Sequence, residues 1–335
     1  MVIDRHITGS RILVTGAAGF IGSNLVEDLL AHGNEVVGLD DLSTGFQRNL
    51  DPFLSNGQFT FINGDIRDTK ACAKAVDGVD YVMHQAALGS VPRSINDPVT
   101  TNDVNINGFL NMLVAARDAK VKRFVFATSS SVYGDEQSLP KEESRVGRPL
   151  SPYAVTKSVN ENYARVFGEL YGMETIGLRY FNVFGKHQDP DGAYAAAIPK
   201  FIRHFMRHDA PTIHGDGTQS RDFTYIKNVI HANHIAALSS NPVAVNEVYN
   251  VAFGQSTNLN ELINILQELL GNFDPKILNI DVKYGPERIG DVRHSLASTV
   301  KANAILGYRP EYDLKAGLTE AIQWYWEFLG GGRPV

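Results

Sequence analysis

Arg11-Ile12-Leu13-Val14-Thr15, followed at once by Gly16-Ala17-Ala18-Gly19-Phe20-Ile21-Gly22, leaves few folds open to this chain. The first run reads as a buried strand. Residues 20–32 read as a helix with Ile21, Leu25, Leu29 and Leu30 inward, closing at Gly33. Strand, glycine turn and helix in that order form a cradle for a pyrophosphate, because glycines allow a tight turn and the helix N-terminus attracts an anion. A second strand, Glu35-Val36-Val37-Gly38-Leu39, delivers Asp40 eighteen residues past Gly22. A carboxylate there accepts from a ribose 2′-hydroxyl and repels a 2′-phosphate, which predicts NAD rather than NADP.

Ser151-Pro152-Tyr153-Ala154-Val155-Thr156-Lys157 is the second informative stretch. Tyr163, Val166, Phe167 and Leu170 continue at helical period, so Tyr153 and Lys157 share one face of one helix. Ser151 suits the cap and Pro152 the first turn. A phenol beside an ammonium is easier to ionise, which predicts that Tyr153 is a general base acidified by Lys157. A Tyr and a Lys four apart are more often surface decoration. The dinucleotide cradle upstream, with Ser129-Ser130-Ser131 between, favours chemistry.

At 335 residues with 43% hydrophobic and 20% charged content, the chain has ample material for a core. A net charge of −6 disfavours a nucleic-acid binder, which would show a basic stripe. The single cysteine, Cys72, excludes an internal disulfide framework and reads as a small core residue. Ten histidines show no metal-ligand spacing, so no metal is expected. No basic-then-apolar leader opens the sequence and no run nears ~18 apolar residues, so a cytoplasmic location and no membrane partner are expected.

The G-x-x-G-x-x-G spacing together with Tyr-x-x-x-Lys resembles the extended short-chain dehydrogenase/reductases, and later details resemble bacterial nucleotide-sugar epimerases that feed polysaccharide synthesis. The resemblance runs from about residue 10 onward. It implies an α/β fold: a Rossmann doubly wound parallel sheet over residues 1–185 and a smaller UDP-sugar lobe over 186–335, some segments of which return to the first domain. Helix 99–118 is apolar on more than one face (Phe109, Leu110, Met112, Leu113, Val114), so one face packs on the sheet; the resemblance implies that the other, with the Tyr153 helix, meets a second copy in a homodimer, the alternative being wholly intramolecular packing. The implied cofactor contacts begin with Gly16, Gly19, Phe20, Ile21, Asp40, Asp41, Thr44 and Gly45. Asp65-Ile66, at the end of strand 59–62, would meet the adenine, although a strand-end Asp could equally cap the helix beginning near Asp68. Gln85, Ala86 and Ala87 follow strand 80–83, and Asn105, Thr128, Tyr153, Lys157 and Tyr180 complete the cofactor set.

Counting back four from Tyr133, Ser129 falls at the family's catalytic Ser/Thr position, to share the proton path with Tyr153 and Lys157. Relatives that eliminate water across C5–C6 carry Asp-Glu directly after it, where this chain has Ser130-Ser131, so a 4,6-dehydratase is disfavoured. On the substrate side the resemblance implies Ser90, Arg93, Ser129, Ser130, Ser131, Asn182, Ala196, Ala197 and His214. Arg221 and Arg288 would clamp a diphosphate and Asp291 would hold the uridine ribose. Seven residues past Arg288 stands Ser295, where a bulky Tyr in such epimerases goes with non-acetylated sugars and a small residue tolerates a 2-N-acetyl group. The expected activity is a UDP-GlcNAc/UDP-GalNAc 4-epimerase working through a transient 4-keto sugar. A UDP-glucose or N-acetylhexosaminuronate 4-epimerase, a C6 decarboxylase or dehydrogenase, and a non-catalytic dinucleotide sensor are the alternatives. Helix 193–208 is expected to be interrupted at Pro199, and Trp324 and Phe328 of helix 313–329 are expected in the core.

Overall fold

The computed structural model describes residues 6–192, 195–287 and 293–330. The sheet strands are β1 (Arg11–Thr15), β2 (Glu35–Asp40), β3 (Phe59–Asn63), β4 (Tyr81–His84), β5 (Arg123–Ser129) and β6 (Thr175–Tyr180). Short strands β7 (Val183–Phe184), β8 (Thr212–His214), β9 (Ser220–Arg221) and β10 (Thr224–Tyr225) precede β11 (Glu247–Val251), β12 (Thr257–Asn258) and β13 (Lys283–Gly285). Seven strands form one sheet in the order β3-β2-β1-β4-β5-β6-β11, and every pairing is parallel. The order reverses between β1 and β4, and it is outside the carboxyl ends of strands at such a switch that α/β sheets bind ligands. The expected doubly wound fold is what forms.

Helices cover both faces. On one lie α1 (Phe20–Ala31), α8 (Ile226–Leu238) and α11 (Leu314–Phe328); on the other lie α2 (Thr69–Ala75), α5 (Phe109–Asp118) and α6 (Pro152–Tyr171). The sheet strands are therefore apolar on both sides, with Ile12 and Val14 in one core and Leu13 in the other. The remaining helices are α3 (Val91–Asn96), α4 (Pro98–Asn102), α7 (Ala197–Met206), α9 (Leu259–Gly271) and α10 (Val300–Leu306). The chain returns to the sheet late: β11 adds to its edge beside β6, and the Tyr325 hydroxyl donates to the Gly185 and Gln188 carbonyls.

Helix 99–118 forms as expected, as one continuous helical run from α4 through Asp103–Gly108, where the bonding is π-type, into α5. Gly108 presses so close to Ile66 that a Cβ would lie 2.6 Å from its side chain. Two other local expectations are corrected. Pro199 does not interrupt α7, because it sits in the first turn, where its missing N–H has no intrahelical partner to lose. Phe328 is 39% exposed and stacks on Trp324 at 4.5 Å, while Tyr325 is the residue that turns inward. Cys72 is buried as expected, and burial pushes its thiol up to about 12.

Candidate active site

A cavity of about 410 Å³ runs along the carboxyl ends of β1, β2, β4 and β5, from the glycine turn to Tyr153 and Lys157. Gly16, Gly19, Phe20 and Ile21 form one end, with Asp40, Asp41, Thr44, Asp65 and Ile66 beside them. Gln85, Ala86, Ala87, Thr128, Ser129 and Tyr180 line the rest. The backbone itself makes the cradle. A Cβ on Gly22 would fall 2.0 Å from the Gly16 carbonyl oxygen, and one on Gly16 2.8 Å from the Ala86 nitrogen. α1 begins at Gly19 with no side-chain cap and no acid in its first turn, whereas Ser151 caps α6 and Asp313 caps α11. Its N-terminal N–H groups are thus left for an anion.

Asp40 is buried, accepting from the Ala18 and Leu42 N–H groups at 2.9 and 2.8 Å. Burial raises its pKa despite those two donors, so hydroxyl groups arriving at its remaining lone pairs would favour the ionised form. These residues fit a dinucleotide with a free ribose 2′-hydroxyl. Gly45 and Asn105 lie off the cavity. Gly45 packs against Ala18, with 2.8 Å for a Cβ, and supports the turn. Asn105 accepts from the Leu88 N–H at 2.7 Å and donates to the Leu88 carbonyl and the Thr156 hydroxyl, both at 3.1 Å. It ties the loop after β4 to α6. Asp65 does not cap α2, since Asp68 does; it accepts from the Arg67 backbone and guanidinium, which holds its carboxyl below the usual range.

At the far end, Ser151 caps α6 through the Ala154 N–H at 3.1 Å and so aims Tyr153 into the cavity. Ser129 accepts from the Ser131 N–H at 3.1 Å, which leaves its own O–H to be donated. Burial raises the Tyr153 pKa, and a hydrogen bond from Ser129 pulls it back down. Lys157 Nζ donates to the Ala127 carbonyl at 2.9 Å and stands 5.9 Å from the Tyr153 ring centre. Burial draws the ammonium down to about 8. Ser129 is thus one group that lowers the phenol pKa in this geometry, and Lys157 lines the same cavity. Desolvation penalises the charged form of both members of the Tyr–Lys pair. Tyr180 is locked by Gln85 and Asn233 at 3.2 and 2.9 Å, and burial pushes it up to about 12, so it stays neutral.

A second cavity of about 580 Å³ adjoins the first, with Asn182 and Val183 lining both. Ala196, Ala197, His214 and Arg221 line it, together with Lys200 and Arg203 of α7 and Arg207 at its end. Those three cations, spaced three and four apart, form a basic stripe that the sequence spacing alone could show. Asp222 was also missed. Its buried carboxylate accepts from the N–H groups of Phe253, Gly254 and Ala297, and burial raises it to about 6. It holds three segments together beside Arg221. Ser90, Arg93, Ser130, Ser131 and Ser295 line neither cavity. Ser90 caps α3 through the Arg93 N–H, Ser130 and Ser131 open the turn 130–133, and the Ser295 N–H donates to the Ser220 carbonyl at 3.1 Å. Arg288 and Asp291 lie outside the described residues.

His6, Asp28 and His234 bring possible metal-ligating atoms within 4.8 Å of one another, which residues so far apart in sequence could not announce. His234 Nδ1 accepts from the Ile7 N–H at 3.1 Å, so its Nε2 carries the proton it shares with Asp28 at 2.6 Å. That ring is committed to hydrogen bonds. Among the described residues, no helix is long and apolar enough to cross a membrane.

The family model for the NAD dependent epimerase/dehydratase family matches residues 12–252. This chain belongs to that family. A putative UDP-glucose 4-epimerase of Methanocaldococcus jannaschii is 39% identical over 315 residues, 93% of this chain and 97% of that protein. A UDP-glucuronate 4-epimerase of Thermodesulfobacterium geofontis is 33% identical over 93% of this chain and 95% of its own. Among solved structures, a UDP-N-acetylglucosamine 4-epimerase from Methanobrevibacter ruminantium, in complex with UDP-N-acetylmuramic acid, superposes with a TM-score of 0.89 at 38% identity. The match covers 96% of this chain and all of that one, 100%. In this NAD dependent epimerase/dehydratase the glycine turn, Asp40 and the Tyr153 end of the cavity are the parts that would hold the dinucleotide.

Proposed function

We propose that this chain is a 4-epimerase of UDP-sugars whose preferred pair is UDP-GlcNAc and UDP-GalNAc. The observation that carries the reading is the junction of the two cavities at Asn182 and Val183. The first cavity ends on the Tyr153 phenol, and the second is lined by cations suited to a diphosphate. A sugar bridging them places its ring at Tyr153. Tyr153 takes the proton of the 4-hydroxyl, and the Ser129 O–H steadies the oxygen left behind. When bound along the first cavity, NAD would supply the redox chemistry, as acceptor and donor of a hydride. Arg221 and the α7 cations hold the diphosphate while the sugar ring turns over to present its other face.

The acetamide preference rests on the small Ser295 and on the likeness to a protein named for UDP-N-acetylglucosamine. Relatives named for UDP-glucose and UDP-glucuronate make those sugars the competing substrates. Proton NMR of the enzyme with a panel of UDP-sugars and no added cofactor tests the activity, and silence on every member would sink it. Ser295→Tyr tests the preference. Ser295 is half-buried, on the segment that pairs with β9 beside Arg221. Ser295 itself lines neither cavity, but a Tyr side chain is long enough to extend from this segment toward the cavity that Arg221 lines, and overfilling a packed site costs ~1–3 kcal/mol. The mutant is expected to lose UDP-GlcNAc conversion and keep measurable UDP-glucose/UDP-galactose conversion. An unchanged ratio of kcat/KM for the two pairs would remove Ser295 from this role.

The proposal includes a homodimer. Ile95 and Val99 stand 61% and 77% exposed beside α6, whose Val155 is 46% exposed. Apolar side chains grouped across adjoining helices suit a second copy of the same face. Sedimentation should show a dimer for the wild type and a shift toward monomer for Val99→Glu. A monomeric wild type would refute this part.

A further inference from the structure

We infer that Glu161 is a positioning residue that sets the register and the charge of the Ser129–Tyr153–Lys157 group. Glu161 lies one turn past Lys157 on α6, facing the sheet. Its Oε1 accepts from the Thr128 hydroxyl at 2.7 Å and from Arg179 Nε at 2.9 Å, and its Oε2 accepts from the other arm of Arg179 at 2.7 Å. The two side chains are 4% and 14% exposed, Arg179 being the more buried. Arg179 is fixed in turn by the Glu143 carbonyl at 3.2 Å and lies 4.9 Å from the centre of the Tyr133 ring.

One carboxylate thus pins the carboxyl ends of β5 and β6 to the helix that carries the base. The neighbours of its partners in sequence are the working residues: Ser129 follows Thr128, Tyr180 follows Arg179, and Lys157 precedes Glu161 by one turn. Lys157 adds a further tie to the same strand end through the Ala127 carbonyl. A shift of β5 would move the Ser129 donor off the phenol, and catalytic geometry tolerates little such movement. Packing alone does not require this device. Buried ion pairs are commonly replaceable by apolar pairs at no loss of stability.

Charge gives the second argument. The ionisable groups around Lys157 are Tyr153 on its own helix, His84 on β4 and Glu161. Burial favours the neutral form of the Tyr153 phenol. His84 is fully buried against Thr15, which pushes it down to about 3 and keeps it uncharged. Glu161 is then the group that opposes the desolvation of the Lys157 ammonium, and Arg179 sits behind it.

The inference concerns the residues that would serve the proposed epimerase, yet its test is independent of substrate. Holoenzyme is labelled with acetic anhydride across a pH series, and acetylation of Lys157 is read by peptide mass spectrometry. Two variants are compared with wild type: Glu161→Gln, and the double variant Glu161→Gln/Arg179→Met, which leaves no unpaired buried charge. Removing the anion disfavours the ammonium, so the labelling midpoint of Lys157 should fall by about one pH unit in Glu161→Gln, and by less in the double variant, which also removes the Arg179 cation. Glu161→Asp, which keeps the charge, should restore it. Where a UDP-sugar is turned over, the alkaline limb of kcat should move to lower pH with KM little changed. A midpoint superimposable on wild type in folded Glu161→Gln, or one raised in the folded double variant, would overturn the inference. Collapse of both variants would overturn it equally, by making the pair a requirement of folding. A wild type inactive on every UDP-sugar would sink the proposed reaction and leave the Lys157 midpoint to decide this question alone.

Discussion

Tyr153→Phe is expected to fold, to keep its dinucleotide and to lose turnover by about 10²–10⁴-fold, the usual contribution of a general acid–base group. The ring is retained, so the packing at the head of α6 is preserved. What disappears is one oxygen and its hydrogen bond from Ser129. That loss corresponds to about 3–5 kcal/mol of barrier, far more than one neutral hydrogen bond contributes to stability. The pH dependence follows with a definite sign. The active form is the phenolate, burial raises the phenol pKa, and Ser129 lowers it. Turnover of the wild type should therefore climb as pH rises toward the alkaline range. Ser129→Ala removes the lowering influence, so its rise should come at higher pH. The check is kcat against pH for wild type, Ser129→Ala and Tyr153→Phe. Near-normal turnover by Tyr153→Phe would remove the phenol from its role.

What the chain declares locally is what its order alone can carry. The turn Gly16–Gly22 and the helix from Pro152 are written in contiguous residues with fixed spacing, so fold and cofactor end were legible. The sheet order was implied because βα alternation admits few topologies. Contacts between distant residues were not legible. The Ser129 hydroxyl that lowers the Tyr153 pKa stands 24 positions back in the sequence, and the desolvation of Lys157 depends on what packs over it. Asp222 finds its three backbone donors 31, 32 and 75 residues away. The run Ser129-Ser130-Ser131 looked like one functional unit, yet in this structure only Ser129 lines the cavity. Phe328 has the side chain of a core residue but lies exposed, stacked on Trp324, which is half-buried and packs against the core, while Tyr325 takes the fully inward position.

Gly22→Ala is the smallest change expected to abolish cofactor retention. The added Cβ would sit 2.0 Å from the Gly16 carbonyl oxygen, 2.7 Å from its carbon and 3.0 Å from the Ala17 Cα. All three are backbone atoms, so no rotamer change relieves the clash. Either the turn after β1 or the first turn of α1 must move. The turn has little slack, because the Gly16 N–H donates to the Leu39 carbonyl at 2.8 Å and the Gly19 N–H to the Gly16 carbonyl at 3.1 Å. Displacing α1 would instead turn its uncapped N–H groups away from the pyrophosphate they are placed to hold. A closed redox cycle calls for a dinucleotide that stays bound, so acid-denatured wild type should release NAD or NADH in near-stoichiometric amount. Gly22→Ala should release almost none and should melt at lower temperature, having lost the stabilisation that ligand binding confers. Gly57→Ala is the matched control, since a Cβ there meets nothing within 4 Å. It should keep both its dinucleotide and its melting temperature. Full occupancy of Gly22→Ala would show that the turn relaxes without cost, and wild type that released no dinucleotide would count against a permanently held cofactor.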